Sequence, residues 1–268
     1  MIIPLARACD TDAHGGKATQ LGHALRAGLP VPPGLALTSS FVSRLVAEDA
    51  QAREQLLNAF AQLGQPVAVR SSAVGEDSEG ASFAGQHATL LNVRTPDALL
   101  EAVAQVHASS RTEAALGYRQ RLGLPLEPRM GIVVQVLVAA DCSGVLFTRH
   151  PISGADERVV EAAWGLGESV VAGLVTPDNY RMARGGRVIE RTLGDKDLAI
   201  VWDDGGGTSE VEVEAHRARV FCLSDAQLLL LDQLASRCEE AFGGTQDLEW
   251  SFAQDDLYLL QRRAITRG

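Results

Sequence analysis

Four cysteines in 268 residues, Cys9, Cys142, Cys222 and Cys238, show no CxxC spacing and no nearby histidine. A zinc ribbon and a disulfide framework are therefore not expected, and a reducing cytoplasm fits best. Basic residues are also scarce. The 24 Lys+Arg against 34 Asp+Glu leave a formal charge of −10, whereas a nucleic-acid backbone calls for a broad cationic face. A small anion held by a few placed cations is still compatible. Long apolar runs are missing too: the stretch Gly131 to Ala140 contains Gln135 and is too short to cross a bilayer. The N-terminus, Met1 to Arg7, has no secretory h-region. No repeat, low-complexity tract or obvious linker divides the chain. The expectation is a cytoplasmic protein with neither membrane nor nucleic acid as partner. What is present is ample core material, 46% hydrophobic at a mean hydropathy of +0.02, enough for one two-lobed domain or two small ones.

Periodicity supplies the outline. Gly15 to Leu29 reads as a short amphipathic helix stopped by Pro30-Val-Pro-Pro-Gly34, and Ser39 to Leu63 as a second helix. Pro66 to Arg70 is a compact strand. A loop from Ser71 to Gln86, with three glycines and three acids, is either a mobile cover or a tolerated insertion. Thr89 to Val93 is a strand; Pro96 to Ser109 and Arg111 to Leu122 are helical. Strands at 130–138 and 145–149, joined by Ala140-Asp-Cys-Ser-Gly144, read as a hairpin. Further strands are expected at Arg158–Ala163, Arg187–Arg191 and Glu210–Phe221. A helix from Ser224 to Phe242 ends on Gly243-Gly244, and two strands, Asp247–Phe252 and Leu257–Arg263, close the chain. The class is α+β, with helices early and an antiparallel sheet late.

The closing strands hold the clearest constellation. Asp247 and Glu249 project from one face while Leu248, Trp250 and Phe252 project from the other. Acids two apart on an apolar strand make a hard-cation site, since Mg²⁺ prefers carboxylate oxygens. Gln261 joins them only in the right register: a three-residue loop, Gln254 to Asp256, sets it opposite Glu249, and a four-residue loop does not. A strand with a solvated outer face is the plainer alternative. Lys17 follows Gly15-Gly16 at a helix start, where ammonium and helix N-terminus could both address phosphate; the wider GxxxxGK[ST] spacing is absent, and an exposed lysine beside a turn is the alternative. Arg70 ends its strand before the glycine-rich loop, where a guanidinium can fork onto phosphate oxygens or pair with Glu76 or Asp77. Arg263 shares the face of Gln261. The segment Gly80-Ala-Ser-Phe-Ala-Gly-Gln86 could lie over phosphates or be an ordinary turn with Phe83 in the core. The six histidines are scattered, none in a Gly-Gly-x-Thr-x-His context, and no Gly-x-Ser-x-Gly elbow is present.

Taken in order, these segments resemble a family: Gly15-Gly-Lys-Ala-Thr-Gln-Leu-Gly22, Ala27-Gly-Leu-Pro-Val-Pro-Pro-Gly34, Val69-Arg-Ser-Ser-Ala73, Glu76-Asp-Ser through Ser82-Phe-Ala-Gly-Gln86, Gly144-Val-Leu-Phe-Thr148, Trp164-Gly-Leu-Gly-Glu168, Gly173-Leu-Val-Thr-Pro-Asp178, Asp247-Leu-Glu-Trp250 and Leu260-Gln-Arg-Arg263. The series is similar to the N-terminal nucleotide-binding domain of phosphoenolpyruvate synthase, pyruvate phosphate dikinase and rifampin phosphotransferase. The resemblance covers nearly the whole chain. It implies an ATP-grasp fold with approximate lobes 1–134 and 135–268 and nucleotide between them. By match to the family pattern, Lys17 and Arg70 contact phosphates, and the loop around Phe83, Gly85 and Gln86, with Thr89 beyond it, closes over them. Gln135, Val136 and Leu137 form the strand beside the adenine. Glu249 and Gln261 hold Mg²⁺, with Asp247 and Arg263 nearby, which favours the odd loop.

Family members pass the β-phosphate of Mg·ATP to a histidine on a separate swivelling domain, releasing AMP and then Pi. Here the chain departs from the pattern: it stops at Gly268, the stretch between Ser40 and Val67 is compressed, and Ala18 follows Gly-Gly-Lys where some members carry Gly. The resemblance therefore implies an ATP-binding component that phosphorylates a histidine on a partner chain or domain, a split subunit and a piece of a longer protein being equally compatible. A free-standing small-molecule kinase and a non-catalytic nucleotide-binding domain are the alternatives.

Overall fold

A computed structural model describes residues 1–64, 66–74, 88–121, 123, 125 and 127–265. The chain divides into two compact units. Unit 1 comprises Met1–Arg26, Pro32–Leu137 and Asp204–Gly207; unit 2 comprises Ala27–Val31, Val138–Asp203 and Thr208–Gly268.

In unit 1 the elements run β1 (Ile2–Pro4), α1 (Thr11–His14), α2 (Gly16–Arg26), β2 (Gly34–Leu37), α3 (Ser39–Val46), α4 (Ala50–Leu63), β3 (Val67–Ala73), β4 (Thr89–Val93), α5 (Pro96–Ser109), α6 (Glu113–Arg121) and β5 (Met130–Val136). The strands form one antiparallel sheet in the order β1-β2-β5-β3-β4. Alternation gives the sheet two different faces. Val67, Val69 and Ala73 of β3 and Met130, Ile132 and Val134 of β5 join Phe41, Val42, Leu56, Leu99, Val103 and Val106 of the helices in one buried cluster. The single helix expected over Ser39 to Leu63 is two helices. Asp49 caps α4 by accepting the Ala52 N–H at 2.9 Å, and Glu48 takes φ 61° just before it; a competing N-cap splits the run.

Unit 2 runs β6 (Cys142–Phe147), β7 (Glu157–Trp164), α7 (Glu168–Val171), β8 (Asp178–Ala183), β9 (Val188–Thr192), β10 (Leu198–Trp202), β11 (Thr208–Glu212), α8 (Ala215–Ala218), α9 (Asp225–Phe242), β12 (Gln246–Ala253) and β13 (Asp256–Ala264). Six strands form an antiparallel sheet in the order β13-β12-β6-β7-β8-β9, and β10-β11 form a separate ribbon. Leu146, Val160, Tyr180, Leu248 and Trp250 are fully buried, as are Leu228, Leu231 and Cys238 of α9. Burial pushes the Cys238 thiol up to about 12, so it packs as a small hydrophobe. Ser224 and Gln227 form the capping box that starts α9.

Three sequence expectations fail here. The strands at 130–138 and 145–149 are not a hairpin: β5 pairs with β2 and β3, β6 with β12 and β7. Small and polar residues between two apolar strands mark a turn, but equally a crossover between sheets. The strand expected over Glu210–Phe221 ends at Glu212, and α8 follows. The helices-early, sheet-late division also gives way to a large antiparallel sheet in each unit, five-stranded in unit 1 and six-stranded in unit 2.

Candidate functional site

In unit 1 the second face of the sheet collects the expected phosphate residues. Even-numbered Ala68, Arg70 and Ser72 of β3 stand opposite Gln135, Val133 and Gly131 of β5, and Arg70 also pairs with Thr89 of β4. Cross-strand partners share a face, so Arg70, Thr89 and Gln135 lie on one side, away from the buried cluster. The start of α2 is fastened to that same side. Ser72 Oγ accepts the Ala18 N–H at 2.9 Å, doing from a strand what an N-cap side chain does. Gly15 has φ 84° and a Cβ there would fall 1.7 Å from the Ser72 carbonyl oxygen; a Cβ on Gly131 would fall 2.3 Å from that of His14. The close approach therefore requires both glycines. It brings Lys17, 6% exposed, onto the face that carries Arg70. An ammonium so buried needs oxygen around it.

Gln135 is buried and donates from Nε2 to the Pro32 carbonyl at 3.2 Å. The backbone N–H groups of Val136 and Leu137 donate to the carbonyls of Pro33 and Pro66 at 2.9 and 2.8 Å. Val136 pairs with Val67, so its side chain takes the other face. Phe83, Gly85 and Gln86 lie outside the described residues.

In unit 2, Glu249 stands directly opposite Gln261, and Asp247 opposite Arg263. The turn is shorter than either loop weighed from the sequence: Ala253 pairs with Asp256 across Gln254-Asp255, with Gln254 at φ 56°. A bulge between Glu249 and Trp250 supplies the missing step, because Trp250 pairs with Leu259 and Glu249 with Gln261, leaving Leu260 as the extra residue. Without it Leu260 and Arg262 would share the acid face, and Gln261 and Arg263 would enter the core. Arg262 instead stays buried over the Phe242 ring at 4.1 Å and donates to Gln246 Oε1 at 2.6 Å. The motif acid Asp178 has a structural task. It accepts from Lys196 Nζ at 2.5 Å, from the Gly194 and Cys222 N–H groups at 2.9 and 2.7 Å, and from the Tyr180 hydroxyl at 3.3 Å.

One acid on the Glu249 face escaped the sequence reading. Glu161 of β7 pairs with Val145, which pairs with Glu249. Glu161 lies on a different strand 88 positions before Glu249, and the only signal for it was β7's alternation.

Comparison with known proteins follows the same lines. The family model for the pyruvate phosphate dikinase AMP/ATP-binding domain matches residues 49–268. Rifampicin phosphotransferase of Streptomyces sviceus is 37% identical over 94% of this chain, which spans 34% of that protein. A probable phosphoenolpyruvate synthase of Methanothermobacter thermautotrophicus is 34% identical over 96% of this chain, which spans 44% of that protein. The chain thus covers well under two thirds of either relative. The crystal structure of PH1788 from Pyrococcus horikoshii shares the fold, with a TM-score of 0.51, 11% identity and coverage of 93% and 89%. The ATP-grasp class expected from the sequence agrees with the α+β build of both units. With more than three quarters of its length matched by the model and these relatives above 30% identity, the chain belongs to the pyruvate phosphate dikinase AMP/ATP-binding domain family.

Proposed function

We propose that this chain binds Mg·ATP and donates its β-phosphate to a histidine on a separate domain or partner chain, releasing AMP and Pi. The observation that carries the reading is the cross-strand pair Glu249–Gln261 beside Asp247–Arg263. A carboxylate opposite a side-chain amide, with a second carboxylate on the same face, offers hard oxygen donors that fit Mg²⁺. Glu249 and Gln261 would hold the ion, which when bound neutralises phosphate charge. Lys17 and Arg70 would address phosphate oxygens from the helix start and from β3, Arg70 with a planar fork, and Arg263 would complete the charge balance. Thr89, Gln135, Val136, Leu137, Phe83, Gly85 and Gln86 are the proposed nucleotide contacts; with the N–H groups of Val136 and Leu137 engaged in the sheet, their carbonyls are what that strand offers a base. Transfer of this kind is positioning and charge neutralisation rather than covalent catalysis by the protein.

The test is thermal stabilisation. Wild type gains Tm with Mg·ATP, because a ligand binding only the native state stabilises it by mass action. Glu249→Ala loses that gain and keeps the ligand-free Tm within a few degrees. A wild-type shift in the variant would remove Glu249 from the metal.

A further inference from the structure

The face that carries Glu249 and Gln261 holds a second acid in the same cross-strand row. Register places Gln261, Glu249, Val145, Glu161 and Asn179 side by side on β13, β12, β6, β7 and β8. Partners directly opposite share a face, so the Glu161 carboxylate rises from the surface that carries Glu249, with only the apolar Val145 between them. Two strand spacings separate the two backbones by about 10 Å. Glu161 is half-buried, and among the described residues no cation or donor is bonded to its carboxylate. A half-buried carboxylate without a donor is costly, and such a group marks a place where a ligand completes the environment.

Charge and distance sort the contacts open to the Glu161 carboxylate at the phosphates and the ion, and the titration below separates out contact with ribose or base. Phosphate oxygens would repel it. Direct coordination to the ion on Glu249 would bring the two carboxylates within about 4.2 Å, twice the Mg²⁺–oxygen distance of about 2.1 Å, and asks each side chain to lean about 3 Å across Val145, the larger displacement of the two. A water in the ion's hydration shell extends the path from Glu249 to about 7 Å, adding about 2.7 Å for a charge-assisted hydrogen bond. Two glutamate side chains leaning toward each other over Val145 cover the remainder. Resting on the reading that Glu249 holds Mg²⁺, we propose that Glu161 is a positioning residue that accepts a hydrogen bond from the hydrated face of that ion and fixes its orientation on the sheet.

Calorimetric titration of ATP at stepped Mg²⁺ concentrations tests this without any turnover. Glu161→Gln keeps the size and loses the charge, so it should raise the Mg²⁺ concentration needed for half-maximal tightening by about tenfold, the low end of what groups bonded to metal ligands contribute. Metal-free ATP should bind as in wild type or more tightly, since one repulsive charge has gone. Glu161→Asp, shorter by one methylene, should recover part of the Mg²⁺ response. An unchanged Mg²⁺ requirement in Glu161→Gln, alongside its loss in Glu249→Ala, overturns this role and leaves the Glu249 reading intact. Equal weakening with and without Mg²⁺ also overturns it, assigning Glu161 to ribose or base. A normal Mg²⁺ response in Glu249→Ala brings down both.

Discussion

At the scale of single residues the site is built from side chains kept where burial disfavours them. Glu161 is the clearest case, its carboxyl held above the ordinary glutamate range by burial alone. A folded-state pKa above the unfolded one means the folded chain keeps its proton where the unfolded chain has lost it. The carboxyl therefore costs nothing below the unfolded value, near 4.3, and stability falls as pH rises through the interval up to the folded value. Glu161→Gln should thus raise the ligand-free Tm at neutral pH, and the gain should vanish as pH falls below about 4. Thermal melts from pH 3.5 to 8 read this directly; a variant less stable than wild type at neutral pH would mean the carboxylate has a stabilising partner. The contrast with Asp178 is instructive. Both are acids on unit 2 strands, but Asp178 is fully buried and saturated by Lys196, two backbone N–H groups and a tyrosine hydroxyl, so its place in the Thr-Pro-Asp motif reflects folding.

At the scale of elements, two junctions align the site residues. One is the seat of α2 on β3, through Ser72 Oγ and the Gly15 and Gly131 contacts. Ser72→Ala should cost about 1 kcal/mol, as for a lost helix cap, and more if the buried Ala18 N–H stays unsatisfied. Urea unfolding measures the cost, and ATP affinity should fall with it because Lys17 loses its alignment. Unchanged stability would show that the cap is dispensable. The other junction is the bulge at Leu260. From the sequence, Glu249 opposite Gln261 called for an odd loop; the protein reaches the same pairing with a two-residue turn and one extra residue inside β13. Alternation and spacing reveal which residues share a face, but a bulge depends on how β13 accommodates Arg262 over Phe242, a contact with a helix that no local pattern encodes. The same limit explains the false hairpin at Ala140–Gly144: turn chemistry is local, whereas the choice of sheet is made by distant strands. The Asp247/Glu249 pair, the Gly-Gly-Lys helix start and the strand carrying Arg70 were legible because each lies within a few residues, although β3 runs on to Ala73 rather than ending at Arg70. Glu161 was not, since its relation to Glu249 passes through β6.

At the scale of the whole molecule, each unit carries part of the proposed machinery, Lys17 and Arg70 in unit 1 and Glu249, Gln261 and Arg263 in unit 2. A net charge of −10 makes those few cations the places where a polyanionic nucleotide can be met. The central claim is that the β-phosphate leaves, and the product nucleotide tests it most directly. ATP labelled in its β-phosphate is incubated with Mg²⁺, this chain and desalted protein extract from its source cells, and the products are resolved. The account predicts AMP that forms only when the chain is present, with the label passing to protein. ADP as the chain-dependent product, or no chain-dependent AMP despite measured ATP binding, would contradict it.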